Sequence, residues 1–414
     1  MAAPVVFSDS KEEKPRRRLR RSKAPTLAAL VLAMGVALRA RKWIGFAPVS
    51  VVLPRLPEVF KRVSLDVPFE KFFDAPGPES LVVSALTGAV YTGLGDGRVV
   101  KKLVNSNSFE TVFRTCEAVK NCPLNCAQSP WDATGREASC GRPLGLRLLR
   151  HEKTLLVADA YFGLLKYDVV EKKLRVLASN FTLLNDIALS LDERFVFASE
   201  TSTKHQRRRI FYAALEMRAN GRVWRIDVQN GHKDIVADAL FMPNGLEVID
   251  EKTLLIVCGL TVYSLDLNTR ALEVFIEPLP GTGDNVRLSK TLPDGEAADL
   301  GPYLFFGLGS PYAKPFSLLK FADQRPKLRT FLVGILPYRL LIDLIPKATL
   351  LAVYDLQGTL IALYHDDTHH LKAPWISEAH ATDDGYLYFG SWYNNFLLRI
   401  NQADLQKTEK TSSS

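Results

Sequence analysis

The chain has 414 residues, 47% of them hydrophobic and 10% aromatic, which provides ample material for a buried core and excludes wholesale disorder. Its formal net charge of +8 belongs to one end: residues 1–42 carry 11 Lys/Arg against 3 Asp/Glu, leaving 42 of each sign in the remainder. The globular part is therefore neutral, and the basic balance gives no reason to expect a nucleic-acid partner.

Lys11, Lys14, Arg16, Arg17, Arg18, Arg20, Arg21 and Lys23 precede an uncharged run from Ala24 to Leu38, followed by Arg39, Arg41, Lys42 and a second apolar run, WIGFAPVSVVLP. Flanking positive charge of this kind keeps an N-terminus cytosolic. No small-x-small cleavage site follows the apolar run, so a retained anchor is favoured over a signal peptide or an amphipathic surface segment. The expected organisation is a basic cytosolic tail over 1–23, a signal-anchor or transmembrane segment over 24–53, and a Pro-rich linker over 54–75. That describes a single-pass type II membrane protein whose globular domain faces the lumen of the endoplasmic reticulum or the cell exterior.

From residue 76 to 404 one unit recurs. Cys140 to Asp168 has an apolar segment entering from a Gly/Pro turn, then TLLVADA, then a Tyr161-Phe162-Gly163 break, then LLKYD. Residues 89–103, 194–200, 221–227, 253–267, 303–309, 350–364 and 386–400 rhyme with it: a short run of β-branched and aromatic residues, a break, and often a second run. Copies every 40 to 60 residues match a four-stranded blade, and six are expected. Their innermost strands should begin near Glu79, Gly141, Asn185, Asn244, Asn285 and Glu378. Pro315 to Ile345 has helical spacing with basic and apolar faces and is expected as an insertion in blade five covering one rim, with membrane-surface contact as the alternative. Residues 405–414 are expected as a disordered tail. The predicted fold is an all-β, six-bladed β-propeller.

Cys116, Cys122, Cys126 and Cys140 fall in one polar loop, spaced C-x5-C-x3-C-x13-C. This lacks the paired knuckles of a structural zinc site, so one or two disulfides are expected, with pairing open, and with them an oxidising compartment. Cys258, inside an apolar strand, reads as a buried thiol. Asn180-Phe181-Thr182 is a glycosylation sequon. HDDTHH, residues 365–370, reads as an inter-blade loop, and GTGDN, 281–285, is not a phosphate loop because no helical pattern follows it.

Innermost strands surround a propeller's central channel, so equivalent positions in different blades converge on its axis. Glu79, Asn185, Asn244, Asp284 and Asn285 would then form a ring of two carboxylates and three amide carbonyls, the donor set a hard cation such as Ca²⁺ takes. The words GPES (77–80), DGRVVK (96–101), CGRPLG (140–145), VADAYFGL (157–164), ND (185–186), QRR (206–208), PNG (243–245), DN.R (284–287) and SEAH..DDGYLYFGS (377–391) resemble, in order, those of the strictosidine synthase-like family of six-bladed calcium propellers. The resemblance implies the same calcium set and, for Glu378, the place of an acid/base glutamate. Blade two departs from the paraoxonase-like pattern, offering Asp159 and Tyr161 where those relatives have a histidine, and Glu200 stands where relatives usually show Asp. The expected function is calcium-dependent hydrolysis of a small ester or lactone bound in the central channel, with Asp284 or Glu378 taking a proton from water. A non-catalytic calcium-stabilised binding propeller and an amine-aldehyde condensation are the alternatives.

Overall fold

A computed structural model describes residues 27, 29–32, 34, 35, 45–51, 53, 61–119, 122, 123, 126, 136–295, 301–311 and 323–406. Six antiparallel sheets follow one another and close into a ring, a six-bladed β-propeller. The innermost strands are Leu81–Val83, Pro143–Leu148, Leu184–Leu189, Pro243–Val248, Gly281–Ser289 and Glu378–Ala381. These are the six positions expected from the blade grammar, and GTGDN opens the fifth.

Blade geometry explains that grammar. The second strand of blade two, Thr154–Asp159, is buried at every position because a neighbouring blade covers each of its faces. The outermost strand, Lys173–Ala178, is exposed at alternate positions along its first half. An apolar layer lies at each of the six blade junctions, for example Leu156, Leu164, Leu184, Ile187 and Val196 between blades two and three. No blade could bury its own faces alone, so closing the ring completes the core.

The closing strand comes from the segment expected as a linker. Phe69–Phe73 pairs antiparallel with the last strand, Phe396–Asn401, so blade six joins the beginning of the propeller to its end. Arg62–Ser64 adds a parallel fifth strand to blade five, against Leu363–His365. At the other end Leu405, inside the expected tail, is fully buried in the layer between blades five and six. The signal in 54–75 is weak because two short strands among prolines and charges lack a full alternating run.

The long connections share one face. Each innermost strand starts at this face, so the loops between second and third strands, and those between blades, all return to it. Residues 201–220 of blade three carry Arg207–Arg209 and the helix Ile210–Glu216. Between the second and third strands of blade five lie the helices Pro326–Ile335 and Tyr338–Asp343. A small cluster with Phe46, Val333 and Leu341 at its centre joins these helices into a cap. The opposite face consists of tight turns such as 84–89 and 168–173.

Cys116 pairs with Cys122 and Cys126 with Cys140, tethering the loop between blades one and two, while Cys258 is buried and free. The basic tail 1–23 lies outside the described residues, as does most of the expected membrane segment. Of that segment, residues 27, 29–32, 34 and 35 are helical and Gly45 to Val51 runs along the cap. Among the described residues no helix is long and apolar enough to cross a membrane.

Candidate metal centre at the mouth of the channel

Four of the innermost strands are irregular at the same place. Pro143 pairs with Asp159 and Leu146 with Val157; Leu184 with Glu200 and Ile187 with Ala198. Pro243 pairs with Cys258 and Leu246 with Ile256; Gly283 with Leu308 and Val286 with Phe306. In each case the inner strand takes three steps against two on its partner. Such a bulge re-aims side chains, and three of the four hold Asn185, Asn244, and the pair Asp284 and Asn285. The glycines of CGRPLG and PNG serve the same geometry. A Cβ on Gly145 would lie 2.7 Å from the Asp186 Cα, and one on Gly245 would lie 2.6 Å from the Asp284 carbonyl oxygen. Only a residue without a side chain lets adjacent inner strands approach this closely.

All five expected ligands stand at the leading ends of inner strands or just before them, on the capped face. Glu79 and Asn285 are buried, Asn185 and Asp284 nearly so. Asn244 Nδ2 donates to Asp284 Oδ1 at 2.7 Å, and Asn285 Nδ2 donates to Glu378 Oε2 at 3.2 Å. Both bonds leave the amide oxygens turned elsewhere. The Oδ1 atoms of Asn185, Asn244 and Asn285 are buried with no hydrogen-bond partner. Leaving one such acceptor unsatisfied costs about 1–3 kcal/mol. Burial, then the charge of Glu79, pushes the Asp284 carboxyl well above its ordinary range. Burial also raises Glu79, against the opposing pull of Arg142 and Arg207.

Three orphaned carbonyl oxygens beside two mutually repelling carboxylates are a poor protein interior and a good hard-cation site. The residues present therefore fit a Ca²⁺ ion. Among the described residues no three His, Cys, Asp or Glu side chains form a metal-holding group; the donors here are two carboxylates and three amides.

One step down the channel the charges are paired. Arg287 Nη1 and Nη2 lie 2.8 and 3.0 Å from the Asp186 carboxylate oxygens, and Nη2 is 2.5 Å from Glu378 Oε2 and 3.2 Å from Ser80 Oγ. Glu378 Oε1 accepts the Leu81 N–H at 2.9 Å. Arg147 adds contacts of 3.8 Å to Asp186 and 3.1 Å to Glu247. Burial pushes Asp186 up, but Arg287 and then Arg147 hold it below the usual carboxylate range. Burial raises Glu378 against the pull of the same two arginines. His380 is held down to about 4 by burial and by those arginines.

Both oxygens of Glu378 are engaged and only 1% of its surface is exposed, so it ties blade six to blades one and five. Asp284 remains at the ring itself.

Above the ring, Arg142 is fully buried, with Nη2 at 3.4 Å from Glu79 Oε2 and from the Trp392 carbonyl. The Tyr161 hydroxyl donates to Glu137 Oε1 at 2.6 Å and accepts the Arg208 N–H at 3.2 Å. An aromatic roof of Phe211, Tyr338, Trp375, Trp392 and Tyr393 packs around Arg207, which lies 5.5 Å from the Trp392 ring.

The family profile for strictosidine synthase matches residues 196–268, the second strand of blade three through the third strand of blade four. Adipocyte plasma membrane-associated protein of Gallus gallus is 29% identical over 342 residues, covering 78% of this chain and 75% of its own. The chain is thus similar to members of the strictosidine synthase-like family. Strictosidine synthase-like 13 of Arabidopsis thaliana is 30% identical over 226 residues, 52% of this chain and 56% of that protein. Among solved structures, a gluconolactonase from Xanthomonas campestris (TM-score 0.50, 86% of this chain and 97% of that one) and a calcium-binding protein, regucalcin, from Agrobacterium tumefaciens (TM-score 0.51, 83% and 95%) share the fold at 11% identity each.

In this chain the two departures from the family words have structural work. Asp159 is buried and its Oδ1 accepts the N–H groups of Tyr161 and Phe162 at 2.9 and 3.0 Å, closing the break between two strands of blade two. Glu200 accepts from Thr182 N at 2.7 Å and Trp224 Nε1 at 2.9 Å, fixing the start of blade three. In HDDTHH, Asp366 accepts the His370 and Leu371 N–H groups at 2.9 and 2.8 Å and shapes the loop. A cleft of about 540 Å³ between blades three and four, lined by Asp192, Phe197, Asp250 and Arg270, lies on the opposite face. Sequence reasoning passed over Arg142, Asp186 and Arg287, although each sits inside a matched word; the signal was a charge within an otherwise apolar strand.

Proposed function

We propose that the protein is a membrane-anchored, calcium-dependent hydrolase of small esters or lactones. The observation that carries this reading is the set of three partnerless buried amide oxygens at inner-strand ends, two of them adjoining Asp284, whose carboxyl Glu79 is near enough to raise. A calcium ion held by Glu79, Asn185, Asn244, Asp284 and Asn285 would act as a Lewis acid toward a substrate carbonyl. Asn244 orients Asp284 through the 2.7 Å bond to Oδ1, and Asp284 is the carboxylate of the ring assigned to take a proton from water. Arg142 and Arg207 set the position of Glu79, and the aromatic roof excludes bulk water from the mouth. The two disulfides support a lumenal or extracellular domain, since such bonds persist in oxidising compartments. Asn180 is exposed and is available to a glycan there.

The test is turnover of aryl esters and lactones by the purified chain with and without a chelator, alongside metal analysis. Chelation should abolish turnover, and Glu79→Gln and Asn244→Ala should lower both bound calcium and rate; turnover indifferent to all three sinks the reading. A calcium-stabilised binding propeller is the second reading, favoured by the locked state of Glu378. It predicts that chelation lowers the melting temperature while no substrate is turned over. An amine-aldehyde condensation through Glu378 finds no support in a carboxylate already held by Arg287 and Leu81.

A further inference from the structure

The segment Gly45 to Val51 is bonded to the cap, not to the propeller wall. The Ala47 N–H donates to Glu216 Oε1 and the Val49 N–H to the Glu216 carbonyl, each at 2.9 Å, and Lys204 Nζ donates to the Gly45 carbonyl at 2.7 Å. Arg218 and Arg329 donate to the carbonyls of Ala47 and Val49. Phe46, only 1% exposed, is sealed between the helix of blade three and the two helices of blade five. The apolar stretch that ends at Leu38 is thus only seven residues from a strap fixed on the cap.

The outer surface of that cap is basic and apolar. Among the described residues Arg208, Arg218, Arg325, Lys327, Arg339 and Lys347 are exposed on it, against Asp343 as the exposed acid. Between them Phe331, Leu340 and Leu344 are 36%, 43% and 48% exposed. Exposed leucines scattered on loop tips are ordinary; three on adjoining helices within a ring of cations are the pattern of an interfacial surface. The opposite face also exposes apolar side chains, Leu86, Leu103 and Val104 on two turns of blade one, Val170 in blade two and Leu191 in blade three, but they stand on turns and not on adjoining helices.

We infer that the cap docks on a phospholipid surface, so that the mouth of the channel opens at the headgroup level. Cationic side chains meet the lipid phosphates and the apolar side chains enter the interface. The strap fixes which way the propeller faces: the end carrying Glu79 and Asp284 is turned to the bilayer, and a ligand reaching it comes from the lipid phase rather than from bulk water. This orientation does not depend on the chemistry at the ring.

The full chain in vesicles of phosphatidylcholine and phosphatidylserine with brominated acyl chains tests it. An environment-sensitive fluorophore is placed at Leu344→Cys on the cap or at Val170→Cys on the opposite face, with the parent chain as the control for labelling of Cys258. The Leu344 probe should lose most of its fluorescence to bromolipid and the Val170 probe should keep it. Lys327→Glu with Arg339→Glu should restore the Leu344 signal while the protein still floats with the vesicles. Flotation with neither probe quenched would mean a tether with a free propeller, and equal quenching of both would mean no preferred face. Either result, or failure to float at all, overturns the inference.

Discussion

Arg287→Met tests whether the channel below the ring is a structural charge network. Asp186 and Glu378 are 0% and 1% exposed, and the arginine bridges them at 2.8–3.0 Å and 2.5 Å. Removing one partner of a buried ion pair typically costs about 3–5 kcal/mol, because an uncompensated charge is left behind. Arg147, 3.8 Å from Asp186, retains part of the compensation for that residue. Glu378 keeps the Leu81 N–H and the Asn285 amide. The expected loss is therefore about 4 kcal/mol, roughly 8 °C in melting temperature at about 2 °C per kcal/mol for a domain of this size. Thermal unfolding followed by circular dichroism measures it. Replacing the carboxylates as well, with Asp186→Asn and Glu378→Gln, should recover at least half of the loss, since a neutral cluster leaves no bare charge. If Arg287→Met melts with the parent chain, or if the triple variant is no better than the single one, the network does not bear on stability and Glu378 returns as a candidate base.

His380 is held to about 4, well under the ordinary histidine value of 6.5, so the unfolded chain binds a proton that the folded protein refuses between those limits. Stability from this group is complete above about pH 6.5 and falls as pH drops toward 4, by at most about 3 kcal/mol and less where channel water reaches the ring. His380→Gln should narrow the gap in melting temperature between pH 7 and pH 4.5; an unchanged gap counts against it. Glu216 has a fully buried side chain with Lys204 at 2.6 Å, His205 at 3.2 Å and the Ala47 N–H at 2.9 Å. Glu216→Ala should release the strap, read as new protease cleavage between residues 45 and 53 with the propeller intact. Gly245→Ala forces a Cβ to 2.6 Å from the Asp284 carbonyl and the Val286 nitrogen. It should separate blades four and five at the ring and weaken calcium retention, measured by equilibrium dialysis, more than Gly385→Ala, on a turn where an added Cβ meets nothing within 4 Å.

Blade number and inner-strand starts were legible because each blade repeats one burial environment. A second strand covered on both faces must be apolar throughout, as in TLLVAD, and its break is a turn of glycine or aspartate. The shared placement of the candidate ligands was legible for a related reason: Asn185, Asn244 and Asp284 occupy one place in that repeat, and the bulge that holds them is itself repeated. The closing strand Phe69–Phe73 was hidden because its partner lies more than three hundred residues away, and FEKFF alternates too briefly to stand out. Arg287 was hidden for the opposite reason. Its meaning rests on Asp186 and Glu378, three blades' worth of chain that only the closed ring brings together, so no local window carries it. Glu378 shows how this matters for function: as a word, SEAH suggests an acid/base group, whereas its engagement by Arg287 and the Leu81 N–H makes it a tie across the channel. Residue type at a repeated position indicated where chemistry could occur, but the partners around each carboxylate decide what it can do, and the proposed function assigns the proton transfer to Asp284.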